Sequence, residues 1–246
     1  MTLTTDTASR SYAQRMTPQV PPLNAPDLLR KARSTTSRRA QYSASTQRAL
    51  VDVARDLFSR KGYAGTSLDE IVGGARVTKG ALYHHFSGKQ ALFEVVFERV
   101  EEDATKRIRK AIKKAKDPWD QVNAGVRAFF EVARGAEYRR IVVQEGPSVL
   151  GYERFREQEE RTTLSIVQDM VGVVVPPEVF PKSLNETLAR LFFGALSAAG
   201  TQLSTAEDPE QASNELETVI AFLLTGIREQ ILAATRGENA EGAQKS

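Results

Sequence analysis

Residues 62–92 decide the fold, and they read GYAGTSLDEIVGGARVTKGALYHHFSGKQAL. Thr66 and Ser67 are favoured N-cap residues, and each is followed three positions later by an acidic residue, which is the capping-box pattern that starts a helix. A Gly-Gly pair ends this first short helix, and Thr78 offers the N-cap of a second one that runs to about His85. The stretch therefore predicts two short helices joined by a tight turn.

Two helices this short are unstable by themselves, because nucleating a helix is costly and few residues share that cost. Upstream, apolar residues recur at helix spacing from Thr46 onward, and downstream Ser87 caps a longer amphipathic helix. We expect the short pair to pack on these two neighbours through Leu68, Ile71, Val77 and Leu82. This is the helix-turn-helix arrangement, in which the last short helix is presented to the major groove of DNA.

The residues of the second short helix suit contact with DNA. Thr78 at the N-cap leaves backbone N–H groups pointing outward, where the helix dipole attracts phosphate, and Lys79 adds a cation. Gly80 and Ala81 are small, so the helix backbone can approach base edges closely, and Ala81 can touch a thymine methyl group. These four residues are therefore candidate DNA contacts.

Polar aromatic residues and a further lysine extend this candidate surface. Tyr83 and His84 can donate hydrogen bonds to phosphate oxygens, although Tyr83 is equally compatible with the core, which is where we expect Phe86. Lys89 begins the next helix, where a cation is unfavourable unless an anion binds there too; an ordinary solvated lysine is the alternative. Adjacent residues on a helix point in different directions and the chain has no cysteine, so we expect no metal at His84 and His85.

The composition of the 246-residue chain is that of a globular protein, with 41% hydrophobic residues and no cysteine. The absence of cysteine excludes disulfide frameworks and thiolate metal sites. No run approaches the roughly 18 consecutive apolar residues that a membrane-spanning helix needs, and the amino-terminal residues lack the apolar core of a secretion signal. We therefore expect a soluble, cytoplasmic protein.

Basic charge is concentrated towards the beginning of the chain. Residues 1–45 hold seven Lys and Arg against two acids, residues 46–90 hold seven against four, and residues 91–246 hold twenty against twenty-five. The proline-rich first segment indicates a disordered arm, whose arginines either reach a DNA minor groove or have no role. A solvated basic tail gives the same charge pattern, so charge alone does not establish DNA binding.

Helical patterns continue beyond Pro118, with Gly or Pro at most breaks, and no segment sustains an alternation of period two. The fold is therefore predicted to be all-α. Its predicted parts are the arm (1–45), the helix-turn-helix DNA-binding domain (46–92), a larger helical domain (93–236) and a disordered tail (237–246).

The last two predicted helices, Leu184–Leu203 and Pro209–Arg236, carry broad apolar stripes. The stripe of the final helix is wider than packing on one partner helix requires. Two such helices from each of two subunits would form an intersubunit four-helix bundle, while the alternative is a core within one chain. A dimer would place two recognition helices about 34–36 Å apart along a palindromic site.

Residues 62–72 and 75–92 together resemble the DNA-binding domain of TetR-family transcriptional regulators, and the resemblance extends over residues 46–92. It implies that eight residues face DNA: Thr66, Ser67, Thr78, Lys79, Gly80, Tyr83, His84 and Lys89. Many family members have glycine where this sequence has Arg76. If that position is left-handed, arginine costs about 1 kcal/mol relative to glycine, and we treat Arg76 as a further candidate phosphate contact.

The resemblance also implies a function. The protein would be a homodimer that binds a palindromic operator in double-stranded DNA, needs no cofactor, and leaves the operator when a small molecule binds the larger domain. The ligand would shift the fourth helix, which runs from Lys89 towards Ala115, and thereby change the separation of the two recognition helices.

The middle helices would enclose the effector pocket of such a regulator. Its candidate residues are Phe129, Phe130, Tyr138, Val142, Glu145, Tyr152, Phe155 and Met170. Residues 139–157 resemble a stretch of one subset of the family and are expected beside the pocket. For each single residue, a place in an ordinary helical core or on the solvated surface is the alternative.

Two other classes of function remain open at this point. The first is an enzyme with an incidental helix-turn-helix, but the sequence has no nucleophile–base pair, paired-carboxylate motif, phosphate-cradling glycine loop or metal cluster. The second is a helical interaction scaffold that has lost DNA binding. A test of DNA binding distinguishes both from a regulator.

Overall fold

The computed structural model describes the backbone of residues 25–244 and the side chains of residues 40–236. That part of the chain consists of helices joined by short turns and contains no strand, which confirms the predicted all-α class. The DNA contacts considered for the arginines of the arm concern side chains outside the described residues.

Four helices form the amino-terminal part: α1 (Ala25–Lys61), α2 (Leu68–Ala75), α3 (Lys79–His85) and α4 (Lys89–Ile112). Leu50, Ala54 and Phe58 are fully buried on one face of α1, since residues three and four apart share a helix face. Ile71 of α2 and Leu82 of α3 are buried in the same cluster. The two predicted short helices are therefore present and pack on α1 and α4.

The rest of the chain forms α5 (Pro118–Arg134), α6 (Ala136–Tyr138), α7 (Gly146–Leu150), α8 (Tyr152–Glu159), α9 (Ser165–Val174), α10 (Lys182–Thr205) and α11 (Pro209–Gln244). Two π-helices interrupt this series: π1 (Arg139–Glu145) precedes α7, and π2 (Glu160–Leu164) precedes α9. The sequence predicts ordinary helices over both segments, because apolar periodicity is too coarse to separate a short π-helix from an α-helix.

Helices α1 and α11 extend into segments for which the sequence predicts disorder. Helix α1 begins at Ala25, within the predicted arm 1–45, and α11 continues to Gln244, within the predicted tail 237–246. After Pro26, α1 contains no proline and is rich in Ala, Leu, Lys, Arg and Gln, which favour helix. Composition suggests disorder there because the polar residues outnumber the apolar ones, but polarity alone does not break a helix.

Two large apolar cores and a smaller third one, formed by Val171, Val175, Ala189 and Ile231, lie within residues 46–236. The first combines α1, α2, α3 and the beginning of α4 with Ile141 and Val142 of π1. The second combines the end of α4 with α5, α9, α10 and α11. Tyr138 packs against both. The core of the helix-turn-helix domain is therefore not formed by residues 46–92 alone, because Ile141 and Val142 of π1 also belong to it.

Helices α10 and α11 use their apolar stripes on two sides. Phe193, Leu203 and Ile220 are buried within the chain. A second group stays exposed, and we name it the outer face of α10 and α11: Leu184 (47% exposed), Leu191 (68%), Val219 (56%), Phe222 (77%) and Leu223 (50%). Helices α10 and α11 thus contribute both to a core within the chain and to an exposed apolar surface. From the sequence, an intrachain core and a subunit contact were alternative predictions.

Among the described residues, one segment is long and apolar enough to cross a membrane, by length and composition only. It is Pro209–Arg236 of α11, and 11% of its most apolar stretch is buried. A search for uninterrupted apolar runs misses it because polar residues such as Thr218 and Thr225 break the run. A partly exposed helix at a subunit interface has the same composition, so this finding is weak evidence for a membrane.

A carboxyl group is buried in the middle of α4. Glu101 is 2% exposed, its Oε1 has no hydrogen-bond partner, and its Oε2 lies 2.6 Å from Thr162 Oγ1. The Thr162 hydroxyl also lies 2.8 Å from the Gln158 carbonyl, and it has one proton to give. Burial raises the pKa of Glu101, and of nearby Glu159. If Glu101 is protonated and donates to Thr162 while Thr162 donates to Gln158, each of these two hydrogen bonds has its own proton.

Replacing Glu101 by glutamine is expected to raise the free energy of unfolding near pH 8 by about 1–3 kcal/mol, because the amide keeps a hydrogen bond to Thr162 and cannot ionise. The pKa of Glu101 is higher in the folded state than its ordinary value of 4.5. Wild-type stability should therefore fall as the pH rises from that ordinary value through the raised pKa. Thermal unfolding between about pH 5 and pH 8 measures the slope; a variant with the same slope as the wild type would contradict the assignment.

Candidate nucleic-acid interface and effector cavity

A complete capping box begins α2. Ser67 Oγ accepts a hydrogen bond from the Glu70 backbone N–H at 3.2 Å, and the Glu70 carboxylate accepts one from the Ser67 backbone N–H at 2.9 Å. Lys61 Nζ donates to the same carboxylate at 2.5 Å. The Lys61 ammonium, with the Ser67 N–H and hydroxyl, lowers the pKa of Glu70 to about 2. The cap predicted from the sequence is confirmed at Ser67 and Glu70, and it fixes where α2 starts.

The turn between α2 and α3 places Arg76 in the left-handed region, with φ 56° and ψ 41°. The Arg76 N–H donates to the Gly73 carbonyl at 3.2 Å, and the Val77 N–H donates to the Val72 carbonyl at 3.0 Å. These two bonds are the Schellman pattern, in which glycine usually occupies the left-handed position. Arg76 is the one non-glycine residue with positive φ among the described residues. The steric cost foreseen from the sequence is therefore present, and the Arg76 side chain is exposed.

Helix α3 shows a polar strip to solvent. Thr78 caps it, since its Oγ1 accepts the Ala81 N–H at 3.2 Å. Tyr83 is 57% exposed and is not a core residue, whereas Phe86 is 5% exposed and belongs to the core as expected. The exposed residues of the turn and helix form what we name the recognition face: Arg76, Thr78, Lys79, Gly80, Tyr83 and His84. Ala81 is half-buried at its edge.

The one lysine of the recognition face already has a partner. Lys79 Nζ lies 2.7 Å from Asp69 Oδ1, and both side chains are more than half exposed. The Asp69 carboxylate raises the pKa of Lys79, so the lysine stays charged. An ion pair this exposed to solvent is weak, so a DNA phosphate can displace Asp69 at little cost.

The two histidines stack on each other, with ring centroids 5.3 Å apart and an edge-to-face geometry. His84 is exposed and His85 is half-buried. Over the described part of the chain, no three side chains of the metal-binding types converge. His84 therefore remains available for a hydrogen bond to a phosphate oxygen.

Thr66 and Lys89 turn towards the protein. Thr66 is 1% exposed and its Oγ1 donates to the Gly62 carbonyl at 2.8 Å, so its side chain faces the protein, and the DNA contact predicted at Thr66 stays a prediction. Lys89 Nζ donates to the carbonyls of Tyr63 (2.7 Å) and Thr66 (2.9 Å) and lies 4.2 Å from the centre of the Tyr63 ring. Both side chains donate hydrogen bonds to carbonyls of the loop that precedes α2. Lys89 keeps one of its three donors, so its phosphate contact stays a prediction.

An apolar cavity lies between the second core and the smaller third one. It has a volume of about 80 Å³, and its lining is apolar except for Thr163. Its walls come from α4, α5, π2, α9, α10 and α11: Ile108, Ile112, Trp119, Val122, Gly125, Val126, Phe129, Thr163, Ile166, Val167, Met170, Val171, Val174, Val175, Leu188, Phe192, Leu196, Leu224 and Ile227. A molecule bound there would be in contact with the end of α4.

Two of the eight predicted pocket residues, Phe129 and Met170, line this cavity. The other six lie outside its walls, so their contact with an effector stays a prediction: Phe130, Tyr138, Val142, Glu145, Tyr152 and Phe155. Val142 and Phe155 belong to the first core, Tyr152 is 73% exposed, and Glu145 hydrogen-bonds the Tyr63 N–H. The segment 139–157 thus packs against the first core through Ile141, Val142 and Phe155 and contacts α10 through Gln144.

Most of the cavity walls lie outside the pocket residues predicted from the sequence. Trp119, Val122, Val126 and Phe129 recur every three or four residues along α5, which is a signal that the sequence did contain. The walls from α10 and α11 were hidden, because the apolar stripes of these helices were assigned to subunit contact.

Two parts of the chain match known families. Residues 50–96 match the family described as Bacterial regulatory proteins, tetR family, and residues 119–227 match Tetracyclin repressor-like, C-terminal domain. The Transposon Tn10 TetC protein of Escherichia coli is 51% identical over 55 residues, which are 22% of this chain and 28% of TetC. The HTH-type transcriptional regulator AcrR of Shigella flexneri is 45% identical over 58 residues, which are 24% of this chain and 27% of AcrR.

The chain therefore matches little more than a quarter of the length of these curated relatives. Similarity to solved structures extends further. A TetR-family transcriptional regulator from Pectobacterium atrosepticum has a TM-score of 0.67 and 28% identity, over 76% of this chain and 95% of that one. The similarity thus covers both the helix-turn-helix and the larger helical domain.

Arg76→Gly is expected to raise the free energy of unfolding by about 1 kcal/mol, because glycine adopts the left-handed conformation without steric cost. If Arg76 also contacts a phosphate, the same change reduces the slope of log affinity for DNA against log salt by about one. Denaturant unfolding and DNA titrations at several salt concentrations measure the two effects. Lys110→Ala, which removes an exposed charge near the end of α4, serves as the control; a variant with unaltered stability would argue against strain at position 76.

Proposed function

Since the chain belongs to the TetR family of bacterial regulatory proteins, we propose that it is a homodimeric transcriptional repressor that leaves its palindromic operator when a small molecule binds. The observation that carries this proposal is the recognition face. Helix α3 exposes Lys79, Gly80 and His84 on one side and is anchored by buried Leu82 on the other. A helix held in this way can enter the major groove without unfolding its own domain.

The outer face of α10 and α11 supports the homodimer. Val219, Phe222 and Leu223 lie at helix spacing and are each half or more exposed. A contiguous apolar surface on a soluble protein marks an interaction site, and a two-fold axis lets the same patch serve both subunits. Pairing also joins two recognition helices, each of which reads too few base pairs to bind tightly alone.

The cavity supports an apolar, uncharged effector. Its lining offers the Thr163 hydroxyl as a polar group and no charged side chain, so a charged ligand would lose its hydration without a partner. Its volume of about 80 Å³ is small beside the roughly 300–1,000 Å³ of typical ligand sites. An effector must therefore push the walls apart, and Ile108 and Ile112 place α4 among those walls.

Release from DNA would follow from that displacement. Helix α4 begins at Lys89, directly after α3, and reaches the cavity at Ile108. A shift of α4 moves the recognition helix of each subunit and so changes their separation. The ligand can shift this equilibrium only by its differential affinity for the two arrangements, typically about 1–3 kcal/mol.

This family consists of regulators rather than enzymes, and its members are soluble DNA-binding proteins. We accordingly propose a cytoplasmic protein without catalytic activity. The apolar composition of Pro209–Arg236 then reflects subunit contact rather than a membrane.

Binding to DNA from the region upstream of its own gene tests the regulator and the dimer together. The wild type should bind in a gel-shift assay, with log affinity falling linearly as log salt rises. Phe222→Glu should dissociate the dimer, because it buries a charge at the subunit contact, and should lower specific affinity by about tenfold or more. Tyr152→Glu is the matched control, since Tyr152 is 73% exposed on α8 against 77% for Phe222. Absence of salt-dependent binding would exclude the regulator, and a monomeric wild type in sedimentation would exclude the homodimer.

Filling the cavity tests the effector site. The neutral fluorophore 1-aminoanthracene should bind the wild type with increased emission, and Val167→Trp should weaken binding by about tenfold or more, since the indole occupies the space. Val173→Trp lies on the same helix but is 51% exposed, and it should leave binding unchanged. Equal effects of the two tryptophans would show that the probe binds outside the cavity.

A further inference from the structure

Carboxylates of the larger domain bind the helix-turn-helix domain at two separate points. At the first, the Glu137 carboxylate of α6 accepts two hydrogen bonds from Arg55 of α1. The distances are 2.6 Å from Nε to Oε1 and 2.7 Å from Nη2 to Oε2. Asp103 of α4 accepts from Nη1 of the same arginine at 2.7 Å. The Arg55 side chain is 22% exposed, and its carboxylate partners raise its pKa. Paired, fork-like contacts of this type fix orientation as well as distance.

At the second point, Glu145 at the end of π1 reaches the loop that precedes α2. Its Oε2 accepts the Tyr63 backbone N–H at 2.8 Å, and Arg140 Nε lies 3.3 Å from its Oε1. Gly62 makes room for this contact. Its φ is 76°, which favours glycine, and a Cβ there would displace the ends of the Glu145 and Arg140 side chains.

The seven residues of π1 connect these two points. Glu137 lies in α6, just before π1 begins, and Glu145 is the last residue of π1. In a π-helix the hydrogen bonds span five residues instead of four, so each turn holds more residues than an α-turn. Converting π1 to an α-helix would rotate Glu145 relative to Glu137. Both carboxylates can therefore keep their partners only while π1 retains its π geometry.

The same segment also contacts the part of the molecule that surrounds the cavity. Gln144 Nε2 donates to the Ser204 carbonyl of α10 at 2.9 Å, and α10 contributes Leu196 to the cavity wall. Tyr138, directly before π1, packs against both cores. A displacement of α10 thus reaches π1 through contacts that are independent of α4.

We propose that π1, with Glu137 and Glu145 at its ends, is a second transmission element that couples the cavity to the recognition helix. This proposal rests on the proposed function, because it assigns the route by which a filled cavity alters DNA binding. With π1 intact, the two carboxylates hold α1 and the loop before α2 in the arrangement that fits DNA. When α10 moves, π1 changes its hydrogen bonding, the Glu145–Tyr63 contact opens, and the helix-turn-helix domain loses its fixed orientation.

Leucine substitutions at the two carboxylates, in the full-length protein, test this element. Glu145→Leu removes the acceptor of the Tyr63 N–H, Glu145→Gln retains an acceptor, and Glu153→Leu is the matched control at an exposed glutamate of α8. Hydrogen exchange at the Tyr63 amide reports the contact itself. Because the chain has no cysteine, a single Gln47→Cys on α1 carries a spin label whose distance to its copy reports the orientation of the domains.

We expect Glu145→Leu to accelerate exchange at Tyr63 by about tenfold or more, broaden the distance distribution, and lower operator affinity by about five- to tenfold. Affinity for unrelated DNA should stay within about twofold, since the charges that meet phosphates are unchanged. Glu145→Gln should restore Tyr63 protection, and Glu153→Leu should match the wild type. Glu137→Leu combined with Glu145→Leu should be scarcely worse than the more severe single change, because both act through one element.

The link to the cavity is tested with the tryptophan pair described above. Val167→Trp, which occupies the cavity, should accelerate exchange at Tyr63, whereas Val173→Trp should not. The proposal is overturned if Tyr63 exchange accelerates in Glu145→Leu while the spin-label distances and operator affinity stay as in the wild type. It is also overturned if Val167→Trp leaves Tyr63 exchange unchanged.

Two further outcomes separate this proposal from the proposed function. If Glu145→Leu does not fold, Glu137→Leu and the tryptophan pair give the same decision. If the wild type binds no upstream DNA, the proposed function fails, while amide exchange and spin-label distances still decide whether π1 links the cavity to the helix-turn-helix domain.

Discussion

The packing of α2 and α3 onto α1 and α4 is the constraint on which the other features depend. These helices have eight and seven residues, too few to persist in water without tertiary support. Ile71 and Leu82 provide that support from within the first core. Because one side of each helix is committed to this core, the opposite side is held outward in a fixed orientation. The recognition face therefore exists because α2 and α3 are too short to be stable alone and must bury one side in the core.

Features that depend on a few neighbouring residues could be predicted from the sequence. The cap at Ser67, the cap at Thr78 and the left-handed Arg76 involve residues within five positions of one another, so their spacing alone determines the geometry. The all-α class follows from periodicity for the same reason. The recognition face could be foreseen because two such local signals, Arg76 and Thr78, determine where α2 ends and α3 begins.

Features that join distant parts of the chain could not be predicted in this way. Glu145 contacts Tyr63 across 82 residues, and no spacing rule relates the two positions. Thr66 is a residue type that often contacts DNA, yet its side chain is buried and bonds the Gly62 carbonyl within the loop before α2. The cavity draws on six segments, and an apolar stripe does not reveal whether it faces a core, a ligand or another subunit. Helices α10 and α11 face the core and the cavity on one side and carry the exposed outer face on the other.

The outer face of α10 and α11 has a consequence for the life of a newly made chain. A lone copy carries several large apolar side chains in water and can adhere to other unfolded or partly folded proteins, which makes it a target for chaperones and proteases. In the proposed homodimer, association with a second copy would cover that face and add to the stability of both, so the folded fraction would depend on how many copies the cell contains. A cell with few copies would hold mainly unprotected single chains, and the abundance of the protein would then rise more steeply than its rate of synthesis.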